Sequence, residues 1–261
     1  MPPHDTLAAD RSIPEAAERR WLRVGAASAL AALALILLDL VLVNVPGWGT
    51  DTVPSTAAAW LDQLTDRPLL GLRNLDLINL FVAVVGLPMY LAVAWVCRRT
   101  TPFAAAFAAL TGVLGTALFV VSNAALPMLQ LSRQAPASGA GRLGAEGAVQ
   151  ALLARGAHGS FGVYPAFLVS GIGSLVTAVA MLGTIAFSRR LAWVGIVGSG
   201  LLLGYVTAVT LNPDASGLVM VLAMIGGLLM LGWNALVARR LYALSGRGLV
   251  AASGALTAVP S

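Results

Sequence analysis

The stretch NLDLINLFVAVVGLPMYLAVAWVCRRTTPFAAAFAALTGVLGTALFVVSNAALP, residues 74–127, holds two apolar runs joined by an arginine pair. The first covers about 74–97 and the second about 103–127, with Arg98 and Arg99 between them. A bilayer's hydrocarbon core is about 30 Å thick and takes roughly 20 helical residues to cross, so each run is long enough to span it. No water reaches that core, so the backbone must satisfy its own hydrogen bonds, which makes the runs helices. A barrel would need ten-residue strands of alternating polarity, and that alternation is absent.

Working outward, four more runs of the same kind lie at about 22–45, 163–187, 191–211 and 217–238. The expectation is an all-α integral membrane protein, a bundle of six transmembrane helices. Composition agrees. Of 261 residues, 58% are hydrophobic and 10% charged, against about 25% charged in a soluble domain. Too few charges remain to cover a water-facing surface, so much of the surface faces lipid. The first run is longer than the apolar core of a secretory signal, and it is expected to anchor rather than be cleaved.

The arginines set the orientation. All sixteen basic residues are arginine. Arg11, Arg19, Arg20, Arg23, Arg98, Arg99, Arg189, Arg190, Arg239, Arg240 and Arg247 fall on one side of a chain that crosses six times. Arg67, Arg73, Arg133, Arg142 and Arg155 fall on the other. The richer side is cytoplasmic by the positive-inside rule, which puts both termini there in a multi-pass plasma-membrane protein. Cations at helix ends are topology, not a phosphate-binding patch, and nucleic acid is not an expected partner. Residues 1–20 and 241–261 read as irregular cytoplasmic tails around a transmembrane domain at 21–240.

Two connections on the opposite, extracytoplasmic side carry helical periodicity. Residues 55–72 place Trp60, Leu61 and Leu64 on one face, and 144–156 do the same with Val149, Leu152 and Leu153. Both read as short helices lying on the membrane surface, with a flexible linker at 133–141.

Candidate functional residues are few. Asp39 lies roughly 9 Å inside an otherwise apolar helix at 1.5 Å per residue, where an unpaired carboxylate is expensive. Asn79 and Asn123 lie at similar depth, and Arg73, Asp76 and Asn79 follow i, i+3, i+6 spacing on one helix face. Asp39, Arg73, Asp76, Asn79 and Asn123 either line an outward-facing polar pocket for a small or amphipathic ligand, or only lock helix packing. His158 sits beside Ser160 in a glycine-rich loop. A serine hydrolase needs an activated serine and an oxyanion hole, and no histidine follows the GSG at 198–200 as a rhomboid-type order requires. With one cysteine, Cys97, and two histidines, His4 and His158, neither a thiolate or histidine-cluster metal site nor paired haem ligands can be built; no cofactor, no metal and no catalytic residue are expected. Gly200 and Gly204 form GxxxG, with Gly171, Gly173, Gly195, Gly198, Gly226 and Gly227 on neighbouring turns and helices. They serve packing within one bundle or contact with a second copy or membrane partner. Trp21, Trp48, Trp60, Trp95, Trp193 and Trp233 nearly all fall near the expected interfaces, as an aromatic belt should.

The stretches LFVVSNAALPMLQLSRQ (118–134), AVQALLARG (148–156) and FLVSGIGSLVTAVAMLGTIAFSRRLAWVGIVGSGLLLG (167–204), with LRNLDLINLFVAVVGLPMYLAVAWVCRR (72–99), resemble a bacterial six-helix membrane family, domain of unknown function 4386. The likeness covers roughly residues 20–240 and implies the six-helix layout, with no activity to carry over. Gln150 stands where members often show an acidic or amide residue, and the linker before it is unusually rich in glycine. Three function classes follow: a non-enzymatic binding or accessory protein, a small-solute or lipid transporter, and an intramembrane enzyme. The first leads, since the polar residues gather in the outer half, which weakens the case for a through-path.

Overall fold

The computed structural model describes residues 4–136, 138–212 and 217–247. Six helices are long and apolar enough to span a membrane: α1 (His4–Val43, apolar from Ala16), α4 (Leu77–Cys97), α5 (Pro102–Ser122), α8 (Tyr164–Leu182), α9 (Arg189–Leu211) and α10 (Leu218–Arg247). Four shorter helices lie between them: α2 (Ala57–Asp66), α3 (Pro68–Asn74), α6 (Ala125–Gln134) and α7 (Ala140–Gly156). No strand occurs among the described residues.

The spans form a closed ring. Each packs on its neighbour in the order α1, α4, α5, α8, α9, α10, and α10 returns to α1. Helix α4 also reaches inward to α8 and α10. Hydrocarbon offers apolar side chains no reason to leave it, so close contact depends on small residues. Helix α1 shows the division of faces. Leu22, Ala26, Ala29 and Ala32 are buried, whereas Leu30, Leu37, Leu40 and Val41 are about half exposed or more. A Cβ on Gly25 would lie 2.4 Å from that of Ala92, which is how closely α1 and α4 approach.

Pro88 interrupts α4. It has no N–H to give, and its ring pushes on the preceding turn. Ser28 of α1 enters the gap left in the ladder. Its hydroxyl donates to the Val85 carbonyl, and the Met89 N–H donates to Ser28 Oγ at 3.1 Å. A side chain inserted into the i→i−4 series is one of the recognised causes of a bend. In lipid it also satisfies groups that no water could reach.

Both expected short helices form, and they are not alone. Among the described residues α2, α3, α6 and α7 pack together as a cap over one end of the bundle. Trp60, Leu61 and Leu64 of α2 are 4%, 0% and 2% exposed, buried with Leu75, Ala125, Met128 and Val149 in a core of their own. The apolar faces read from periodicity are real, and Trp60, Leu61, Leu64 and Val149 meet in this shared core. Arg142 on α7 clamps this layer, donating to Asp62 at 2.6 Å, the Ala58 carbonyl at 3.2 Å and Glu146 at 3.3 Å. Part of the anticipated linker at 133–141 is helical too: α6 runs to Gln134 and α7 begins at Ala140.

The ends differ as well. Residues 4–20 continue α1, because LAADRSIPEAAERR is rich in alanine, glutamate and arginine, all strong helix formers. Residues 241–247 likewise continue α10, while 1–3 and 248–261 lie outside the described residues. Trp60 and Trp233 leave the expected belt. Trp60 is in the cap core, and Trp233 is fully buried among Tyr90, Val93 and Val237.

Candidate functional site

The five polar residues singled out in the sequence do not form one pocket. They divide into three separate arrangements, each closed by its own partners. Asp39 on α1 accepts from Arg73 Nε at 3.2 Å. The same guanidinium donates through Nη1 to the Trp48 carbonyl at 3.0 Å and to Asn74 Oδ1 at 3.2 Å. Arg73, with a side chain 10% exposed, thus ties the end of α1, the loop after it and α3 together.

Arg73, Asp76 and Asn79 do not share one helix face, because the helix breaks between them. Helix α3 stops at Asn74, and Asp76 takes a left-handed conformation (φ 59°) before α4 begins at Leu77. Aspartate is among the few residues that tolerate this. Freed from the helix, its carboxylate accepts from Asn79 Nδ2 at 2.9 Å and faces His158 Nδ1 at 3.2 Å. His158 Nε2 lies 3.1 Å from the Tyr205 hydroxyl oxygen, and the ring stands edge-on to Phe167. Asn123 closes the third arrangement. Its Nδ2 donates to the Leu75 carbonyl at 3.0 Å, and its Oδ1 accepts from the Ala125 N–H at 3.0 Å. One buried amide therefore stitches the α3–α4 break to the α5–α6 break.

In the sequence His158 stands beside Ser160; in the structure its partners are Asp76 and Tyr205. The hydrogen bond that His158 donates to the Asp76 carboxylate holds the His158 pKa above its ordinary value, partly opposed by burial and assisted by the Asp76 charge. The sign follows. A raised folded-state pKa means the charged pair stabilises fully below the unfolded value of about 6.5 and fades as pH rises through the higher folded value. The His158 side chain is 39% exposed, so solvent screens the pair to at most about 1 kcal/mol. Thermal unfolding in detergent is expected to show the wild type above His158→Gln at pH 5.5, with the gap narrowing towards pH 8.5. A gap that widens instead would contradict the pairing.

The glycines also separate. A Cβ on Gly173 would meet Thr111 of α5, one on Gly195 would meet Trp233, and one on Gly226 would meet Leu201 and Leu202. Gly200 and Gly204, the GxxxG pair, have open space where a Cβ would be. Their face of α9 points out of the bundle.

Three cavities stand out, and none is lined by Asp39, Arg73, Asp76, Asn79 or Asn123. The largest, about 800 Å³, lies at the opposite end of the bundle from the cap, where α4 is flanked by α1 and α5. Ala17, Ala94, Ala105, Ala106 and Ala109 leave it unfilled. Its far wall, at Ala109, is seven residues into α5, roughly 10 Å deep at 1.5 Å per residue. Its mouth is polar. Glu18 accepts from Trp95 Nε1 at 3.0 Å and pairs with Arg98 Nη2 at 3.7 Å. The Arg98 guanidinium sits 3.4 Å above the centroid of the Trp95 ring, and Arg99 lies beside it, exposed. From the sequence alone Trp95 reads as belt and Arg98 as topology. Their i, i+3 spacing was the available signal, but Glu18, 77 residues from Trp95, becomes a partner only when α1 packs on α4.

A closed ring of six apolar helices, capped at one end and tipped with arginine at the other, defines a polytopic α-helical membrane protein. Over residues 24–236 the chain matches the family described as "Domain of unknown function (DUF4386)", and it belongs to that family. No curated protein and no solved structure matches it.

Proposed function

We propose that this protein is a non-enzymatic binding protein of the plasma membrane, and that it holds an amphipathic, lipid-like molecule in the groove between α1, α4 and α5. The observation that carries this reading is the 800 Å³ cavity itself, apolar along its depth and polar only at its mouth. Its volume falls within the roughly 300–1,000 Å³ of small-molecule sites. Alanine walls and Trp21 suit an acyl chain, while Glu18, Arg98 and Arg99 suit a zwitterionic or anionic head. The positive-inside rule puts this mouth on the cytoplasmic side. An outward-facing pocket at Asp39 has less support, since Asp39 is engaged by Arg73.

The test uses protein reconstituted in vesicles containing a phospholipid with a photoactivatable acyl chain. Labelling is expected to concentrate on peptides covering 91–95 and 102–109. Ala106→Trp, at an exposed position on the groove wall, is expected to cut it by about tenfold, the equivalent of ~1.4 kcal/mol. Labelling spread evenly over the lipid-facing helices, and unchanged by Ala106→Trp, would overturn the reading.

A further inference from the structure

A second groove lies at the same end of the bundle, on the far side of the ring. It has a volume of about 620 Å³ and runs between the start of α9 and the last turns of α10. Arg190 comes from α9 and Arg239 and Arg240 from α10, while Leu191, Val194 and Leu236 form apolar wall. Arginines at helix ends satisfy topology equally well when splayed into water. Here three of them, from two helices, border one cavity.

Their own helices do not neutralise that charge. The sequence has no aspartate or glutamate between 147 and 213, nor after 214, so neither α9 nor α10 carries a carboxylate. Arg240 is already used: its Nε donates to the Ala186 carbonyl and holds the α8–α9 loop. Among the described residues, neither Arg190 nor Arg239 forms an ion pair, and both are exposed. Two free guanidiniums at headgroup level, above an apolar slot, complement a phosphate that carries an acyl chain. Basic pockets between transmembrane helices are recognised sites for anionic headgroups, and guanidinium matches phosphate in both charge and geometry.

We infer that the α9–α10 groove binds an anionic phospholipid of the surrounding bilayer, with its phosphate between Arg190 and Arg239 and an acyl chain along Leu191, Val194 and Leu236. The site is independent of the groove between α1, α4 and α5. It would bind its lipid whether or not that one is occupied.

Native mass spectrometry of the full chain in detergent, titrated with phosphatidylglycerol or with phosphatidylcholine, tests this. The wild type is expected to retain phosphatidylglycerol at least about tenfold more tightly than phosphatidylcholine, at roughly the strength of two interfacial arginines. Arg190→Gln/Arg239→Gln, which leaves Arg240 in place, is expected to remove that preference. Ala106→Trp is expected to keep it. Inorganic phosphate should not compete; if it displaces the lipid, the site is one for free anions and the inference fails. Equal retention of the two lipids by the wild type, or an undiminished preference in the double variant with its unfolding temperature unchanged, would equally overturn it. If the double variant does not fold, Arg239→Gln alone decides, because it must lose part of the preference.

Discussion

Replacing Arg73 with leucine is expected to destabilise the protein by about 3 kcal/mol, the lower end of what breaking a buried ion pair costs. Arg73 is nearly buried and Asp39 about one-third exposed, which is why the lower end applies. The loss comes from the carboxylate left behind at membrane depth, together with the Trp48 carbonyl and the Asn74 amide oxygen, which lose their donor. In thermal unfolding of the detergent-purified protein this corresponds to a shift on the order of 10 °C. Asp39→Leu/Arg73→Leu should regain most of it, because an apolar pair of similar volume often replaces a buried ion pair at little cost. About 1 kcal/mol should stay lost with the two stranded acceptors. If Arg73→Leu unfolds at the wild-type temperature, or the double variant is no better than the single, the pair is not what holds α1 to α3.

The second large effect belongs to a glycine. A Cβ on Gly115 of α5 would lie 2.3 Å from Ser170 Oγ, 2.7 Å from its backbone nitrogen and 2.9 Å from its Cα. Backbone cannot rotate away as a side chain can, so α5 and α8 would have to part along their whole contact. Overpacking relieved by side-chain shifts costs about 1–3 kcal/mol; Gly115→Ile is expected to reach about 3 kcal/mol or to prevent folding. The control is Gly204→Ile, on the outer face of α9, where a Cβ meets nothing within 4 Å. That change should stay within about 0.5 kcal/mol of wild type. Similar losses at both positions would show that glycine content, and not backbone contact, sets the packing.

The GxxxG at 200 and 204 is the pattern a sequence advertises, yet it faces out of the bundle, while the tight contact falls on Gly115, which stands in no such motif. Asp39 was legible as a residue in need of a partner, because a carboxylate inside an apolar run is expensive, but whether Arg73 or an asparagine holds it was not. Glu18, Trp95 and Arg98 were not legible as a group, since each has an ordinary local explanation. The shared face expected for Arg73, Asp76 and Asn79 failed at one residue: a left-handed aspartate ends the periodicity, and nothing in the spacing marks it.

The sequence alone settled that the chain crosses a bilayer six times as helices, because length, apolarity and backbone hydrogen bonding are properties of each segment taken singly. It also settled that arginines cluster at one end of those crossings, since alternation follows from counting them. Tertiary structure alone decided which faces meet, that the short helices pack into a cap with a core of its own, and that the two larger grooves open at the arginine end. Those outcomes depend on distances between segments far apart in the chain. In a solvent as apolar as the side chains themselves, hydrophobicity cannot rank one helix face above another.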